Sequence, residues 1–330
     1  MKRSAGFTLV NLLFTIFILF VGFLLLIPAM LSTQEAARKM QCVANLKQLG
    51  LAALNHEYEM KTLPSGGWNV NYVGDPDRGF GKGQPGTWTF SLLPFIEQSE
   101  LFQTGSTGNA ESCELKENSK VLETPICLFL CPSRRNVATS ALGVTDYLNS
   151  NFTGSWGAKS DYAANYGTTV MKIGNWISYE TPVEEIQSPE EPTGVIFDAS
   201  AIALDEIRDG TNNTYLIGEK FVFRGPAAHA GPGDKASMYA GIAGDDSNSN
   251  FRSAGVMETK EWFLPNRDAL ETEADLRAWR GFGGPHSGIF QMVMCSGAEF
   301  LISYQIDGQV HAYLANRHDE TGTSAQEYLQ

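Results

Sequence analysis

The chain has 330 residues, with 24 Lys and Arg against 37 Asp and Glu for a formal charge of −13. That length buries a full core without disulfide or metal staples, and 43% hydrophobic with 18% charged residues excludes wholesale disorder. An acidic chain without clustered Lys and Arg is no phosphate-backbone binder, so nucleic acid is excluded as a partner.

Residues 4–34 contain no Asp, Glu, Lys or Arg, and they enclose the run LVNLLFTIFILFVGFLLLIPAML. A helix from Phe7 to Leu31 is about 37 Å long, more than the ~30 Å hydrocarbon core, so the expectation is a membrane span over residues 7–31. Lys2 and Arg3 before it place the amino end in the cytoplasm and the rest outside, and Arg38, Lys39 and Lys47 weigh the other way. A cleaved signal peptide is the alternative, but its apolar region is shorter. Pro28 predicts a kink.

The start, MKRSAG followed by FTLVN, resembles the leader and first mature residues of type IV pilins and pilin-like secretion proteins. The resemblance implies a leader over residues 1–6, cleavage between Gly6 and Phe7 by a prepilin peptidase, and methylation of the Phe7 amine. Pilins carry glutamate where this chain has Asn11, the position that sets assembly register. An amide accepts a hydrogen bond without the charge that strengthens it, which favours a minor or tethered subunit over a bulk filament builder.

Residues 32–60 continue with good helix formers, and Cys42, Leu46, Leu49, Ala53 and Met60 form one apolar stripe. Leu63-Pro64 and Gly66-Gly67 end the rod, giving a helix over 7–60 and a head over 61–330. In the head, Trp88–Phe102 reads as short helix or turn, and residues 170–174 and 193–199 as short strands. Thr214–Phe223 reads as a strand after the Asp209-Gly210 turn, and Ile289–Asp307 as a hairpin with Ser296-Gly297 at its tip. A short helix follows, with Val310, Tyr313 and Leu314 facing in. Residues 70–86, 105–119 and 225–253 read as long polar loops. The expected class is α+β: a pilin-like long N-terminal helix on a mainly antiparallel sheet head with long loops.

Several blocks along the chain resemble the planctomycete-type prepilin-like family known as the DUF1559 group. They are EAARKMQCVANLKQLGLAALNHEYE, TFSLLPFIEQSELF, LCPSR at 130–134, DYAANYG at 161–167, IRDGTNNTYLIGEK at 207–220, and His286 with Gly288. Cys295-Ser296-Gly297 departs from the family's usual Asp-Gly turn. The resemblance implies a membrane-anchored helix, an exported sheet domain and no assigned activity. Because Cys42 and Cys131 both lie in its blocks, it makes their disulfide the first pairing expected; Cys113 with Cys127 is the second.

Chemistry is sparse. Cys127-x-x-x-Cys131 lacks zinc or redox spacing, and the five histidines form no ligand motif. His286 near Asp198 or Asp205 makes a catalytic site conceivable, but there is no nucleophile elbow, and a turn-stabilising role is the plainer reading. Glu97 and Glu219 have no glycosidase spacing. Asp246, Asn248 and Asn250 mimic the start of a calcium loop, but Phe251 and Glu258 break the EF-hand pattern, so a solvated loop is the plainer reading. No other cofactor is expected.

The expected function is a non-enzymatic exported structural protein, a pseudopilin or minor-pilin-like subunit or a tethered surface protein, forming homo- or hetero-oligomers through its N-terminal helix. The alternative is a binding module for polysaccharide or peptide, with Trp68, Trp88, Trp156, Trp176, Trp262 and Trp279 as aromatic platforms. An open aromatic groove favours binding; a closed core favours scaffold.

Overall fold

The computed structural model describes residues 9–111, 116–135, 139–169, 171, 177–188, 192–225, 231–242, 248, 250–270 and 277–319. Helix α1 (Leu9–Met60) leads into short helices α2 (Trp88–Ser91), α3 (Ser99–Phe102) and α4 (Ser119–Glu123). Strands β1 (Thr139–Ala141), β2 (Trp156–Ala158), β3 (Tyr162–Gly167), β4 (Tyr215–Glu219), β5 (Phe251–Ser253) and β6 (Gly255–Val256) follow. Then come β7 (Glu261–Trp262), β8 (Asn266–Arg267), β9 (Gly283–Gly284), β10 (Ile289–Met294), β11 (Glu299–Ser303) and the closing helix α5 (Gly308–Ala315). The class is α+β.

The main sheet has the order β11-β10-β4-β3-β5. Its pairings are antiparallel except β3 with β5, which is parallel, as is β8 with β9 in a small sheet. The sheets are therefore mixed. The second half of α1 lies on one face of the main sheet, and α5 lies toward the other. Cys42, Leu46, Leu49 and Ala53 are buried along α1, while Met60 is only half-buried.

Strand alternation assigns the faces. Val293 pairs with Ile217 and both join the cluster under α1, whereas Met292 and Met294 pack with Leu314 under α5. A register shift between Val293 and Met294 sends Tyr215 to the α5 side while Ile217 stays toward α1. Glu219, two residues beyond Ile217, thereby falls on the α1 face.

Among the described residues, no helix is long and apolar enough to cross a membrane. This overturns the transmembrane helix expected over residues 7–31, the anchoring of the chain by its N-terminal helix, and the localisation drawn from that anchor.

The head departs from expectation elsewhere. Strand β4 stops at Glu219. The apolar run at 193–199 forms bends, because Val195 and Ile196 N–H groups both donate to the Asn165 carbonyl. Residues 70–86 are mostly packed inside, where the Gln84 amide donates to the Asp75 and Gly79 carbonyls and accepts from the Asp75 N–H.

Candidate functional site

Four ligating side chains converge where α1 meets the head: Cys42, Cys131, Glu219 and His286, all buried, with their donor atoms within 4.8 Å of one another. Each arrives by a different route. Cys42 sits on the buried stripe of α1, and Cys131 opens a turn in which the Arg134 and Arg135 N–H groups donate to its carbonyl. The Cys131 N–H itself donates to Asp161 Oδ2 at 2.7 Å. Glu219 ends β4. His286 lies between β9 and β10, and the Tyr304 hydroxyl reaches its carbonyl at 3.1 Å.

The two sulfur atoms, the pair expected first to form a disulfide, stand 2.6 Å apart. His286 Nε2 is 3.8 Å from Cys131 Sγ and 3.2 Å from Glu219 Oε1. On its other edge, His286 Nδ1 is 3.2 Å from Oε1 of Glu35, a half-exposed residue two helical turns before Cys42. Glu219 Oε2 accepts the Gln291 N–H at 3.0 Å, while Oε1 is buried and accepts no well-formed hydrogen bond.

Burial alone would lower the His286 pKa, but contacts with Cys131 and Glu219 outweigh it and raise it to about 10. The imidazole lies between the Glu219 and Glu35 side chains. The contact with Cys42, then burial, pushes the Cys131 thiol far above its usual range. A thiol so held is a poor nucleophile.

Beside this cluster runs an ion network. Arg134 binds Asp268 at 2.7 Å, Arg135 bridges Asp161 at 2.6 Å and Asp234 at 3.1 Å, and Lys220 meets Asp234 at 2.8 Å. Burial lowers Lys220 to about 7 despite the attraction of Asp234. These charges fix the Cys131 turn against β3 and β4.

Of the residues singled out from sequence, Cys42, Cys131 and His286 meet here. Cys127 is exposed in a groove of about 520 Å³ lined also by Gln41, Asn45, Leu130 and Arg135. Cys113, its expected partner, lies outside the described residues, as do Gly6, Phe7, Asp246 and Trp176. Asn11 is on α1, where its carbonyl accepts the Thr15 hydroxyl at 2.8 Å. Asn248 Oδ1 accepts the Asn250 and Phe251 N–H groups, and the Asn250 amide donates to Ser237 and Ala240 carbonyls. Asp198 holds Tyr166 instead of His286, and Glu97 is exposed at the end of a turn. The meeting of Glu35 and Glu219 with His286 went unread in the sequence. Glu35 had one signal, its seven-residue offset from Cys42, which puts both on one helix face.

A family model described as "Protein of unknown function (DUF1559)" matches residues 32–309. Comparison with curated proteins and with solved structures gives no match.

Proposed function

The chain belongs to the DUF1559 family, and from that premise we propose that it is a non-enzymatic structural subunit. In this reading it is a pilin-like helical rod bearing a head, which associates with further copies of itself through residues 9–23. One observation carries the reading. Leu9, Phe14, Phe17, Leu19 and Phe23 are 62–73% exposed and their apolar neighbours are exposed too, while one face of the same helix is buried in the head from Cys42 onward. A segment apolar on every side needs cover on every side, which suits a bundle better than a single groove. Other copies offer an uncharged segment of matching length.

The rest of the molecule supports a scaffold. Trp68, Trp88 and Trp279 are buried while Trp156 is exposed and Trp262 half-buried, and the groove beside α1 has no aromatic wall. From the leader resemblance the reading also takes in cleavage after Gly6, for which the expected mass-spectrometric result is a chain starting at Phe7.

Sedimentation of the full chain tests the assembly. The expected result is concentration-dependent oligomers that the paired substitutions Leu13→Glu and Phe17→Glu reduce to monomers, with the melting transition of the head unchanged. A monomeric wild-type chain at micromolar concentration would overturn the reading, and so would oligomers indifferent to the two charges.

A further inference from the structure

The cluster at the foot of the rod has the composition and support of a metal centre. We infer that the chain, with its thiols reduced, binds one zinc-class divalent cation through Cys42 Sγ, Cys131 Sγ, His286 Nε2 and Glu219 Oε1. The inference does not depend on assembly through residues 9–23.

The donor set is the first argument. Two thiolates, an imidazole and a carboxylate are borderline-soft ligands that suit tetrahedral zinc. With Zn–S near 2.3 Å and Zn–N or Zn–O near 2.0–2.1 Å, the donors of such a site stand about 3.3–3.8 Å apart. The Nε2–Sγ distance of 3.8 Å and the Nε2–Oε1 distance of 3.2 Å are close to those edges. The Sγ–Sγ distance of 2.6 Å must open by about 1 Å, within reach of small side-chain rotations.

The second argument is the surrounding shell. Zinc-bound histidines present one ring nitrogen to the metal and anchor the other on a carboxylate, carbonyl or water. Here Glu35 faces Nδ1 at 3.2 Å, leaving Nε2 aimed at the sulfur and at Glu219. The Gln291 N–H fixes Glu219 Oε2, and this turns Oε1 inward. That oxygen is fully buried and faces His286 Nε2 at 3.2 Å without a well-formed hydrogen bond, so both atoms point at the space a cation would fill. A dication would bind that oxygen and Nε2 together. On binding, the cation takes the place of the Nε2 proton, and that proton leaves together with both thiol protons.

The third argument is position. Glu35 and Cys42 belong to α1; Cys131, Glu219 and His286 belong to the head. A cation here clamps the rod to the sheet.

The test uses the full chain, reduced, stripped of metal with a chelator and kept anaerobic. Cobalt(II) is added as a spectroscopic stand-in for zinc. The expected result is intense visible bands of tetrahedral cobalt and a near-ultraviolet sulfur-to-cobalt charge-transfer band, saturating at one cobalt per chain and abolished by added zinc. His286→Gln and Glu219→Gln should weaken zinc binding at least about tenfold, and Glu35→Gln should do so about tenfold. Cys127→Ser, away from the cluster, should leave the spectrum intact. Because Cys131→Ser could disturb folding, its circular dichroism is recorded beside its cobalt spectrum, which should lose the charge-transfer band.

A colourless reduced chain whose thiols titrate in full would overturn the inference. So would a spectrum that survives in folded Cys131→Ser or in His286→Gln. A Cys42–Cys131 disulfide that persists under reductant strong enough to free the other thiols would overturn it too.

Discussion

A Cβ placed on Gly50 of α1 would stand 2.7 Å from Cγ2 of Val293 on β10. The helix approaches the sheet this closely only because Gly50 has no side chain. Alanine at this site gains about 1 kcal/mol in helix propensity but overpacks the interface at a cost of about 1–3 kcal/mol. Gly50→Ala should therefore lose about 1 kcal/mol in urea unfolding. Combined with Val293→Ala it should lose less than the sum of the two single changes, with a coupling of at least about 0.5 kcal/mol. Simple additivity would show that the contact does not set the helix position.

Asp234 holds the buried cations of the head together. Its carboxylate meets Lys220 and Arg135, and its backbone carbonyl accepts from the Lys159 ammonium. Burial works against ionisation, yet Lys220 and Arg135 hold the carboxyl well below the usual range. Asp234→Asn strips the counter-charge and leaves Lys220 and Arg135 buried beside a neutral amide. A loss of about 3–5 kcal/mol is expected from denaturant midpoints. A loss under about 1 kcal/mol would mean that the cations relax to other partners at little cost.

These contacts mark what could be read in advance. The stripe of Cys42, Leu46, Leu49 and Ala53 identifies the buried face of α1, and alternation with Ser296-Gly297 identifies the β10–β11 hairpin. Asp307, read from the sequence only as the end of that hairpin, caps α5, and its carboxylate accepts the Gln309 and Val310 N–H groups. The meeting of Glu219 with His286 is invisible at that level, because it depends on which strands flank β4 and on the register shift opposite Val293. The run at 193–199 looks like a strand by composition. Gly194, however, lies so tightly against the Asn165 carbonyl that the chain folds into bends there. The charge-free N-terminal run misled differently: composition suggested a membrane span that the described helix does not supply.

Two histidines set the acid limit of the fold. Burial lowers His56 to about 4, partly offset by the Thr62 carbonyl, and burial lowers His311 to about 3. Unfolded, both titrate near 6.5. Between about 4 and 6.5 the unfolded chain takes up protons that the native chain refuses. The stability they permit is complete above 6.5 and falls as the pH drops, by up to about 1.4 kcal/mol per pH unit for each histidine. Urea midpoints measured from pH 7 to 4.5 should show this slope. His311→Phe, set among Tyr215, Phe282 and Phe290, should flatten part of it. An unchanged slope would acquit His311.

Asp209 pulls the other way. Burial, and then the charge of Asp319, raises its carboxyl to about 7, and neither oxygen has a hydrogen-bond partner. Between about 3.8 and 7 the native chain holds a proton that the unfolded chain has released, so this group's contribution is present at low pH and lost as the pH rises through 7. Asp209→Asn should match wild type near pH 4 and be the more stable protein above pH 7. A variant less stable at every pH would show that the carboxylate has a structural partner after all.

Asn11 tests the assembly from inside the apolar run. It stands in residues 9–23 among leucines and phenylalanines, where a bundle of copies would bury it. A lone amide in a helix seam costs stability but selects one register, because misaligned copies leave it without a hydrogen-bonding partner. Asn11→Leu should therefore tighten association while broadening the distribution of species in sedimentation velocity. Asn11→Ala should broaden it without the gain in affinity. If both variants sediment as a single species of wild-type size, then register is set elsewhere on α1 and Asn11 lies outside the contact.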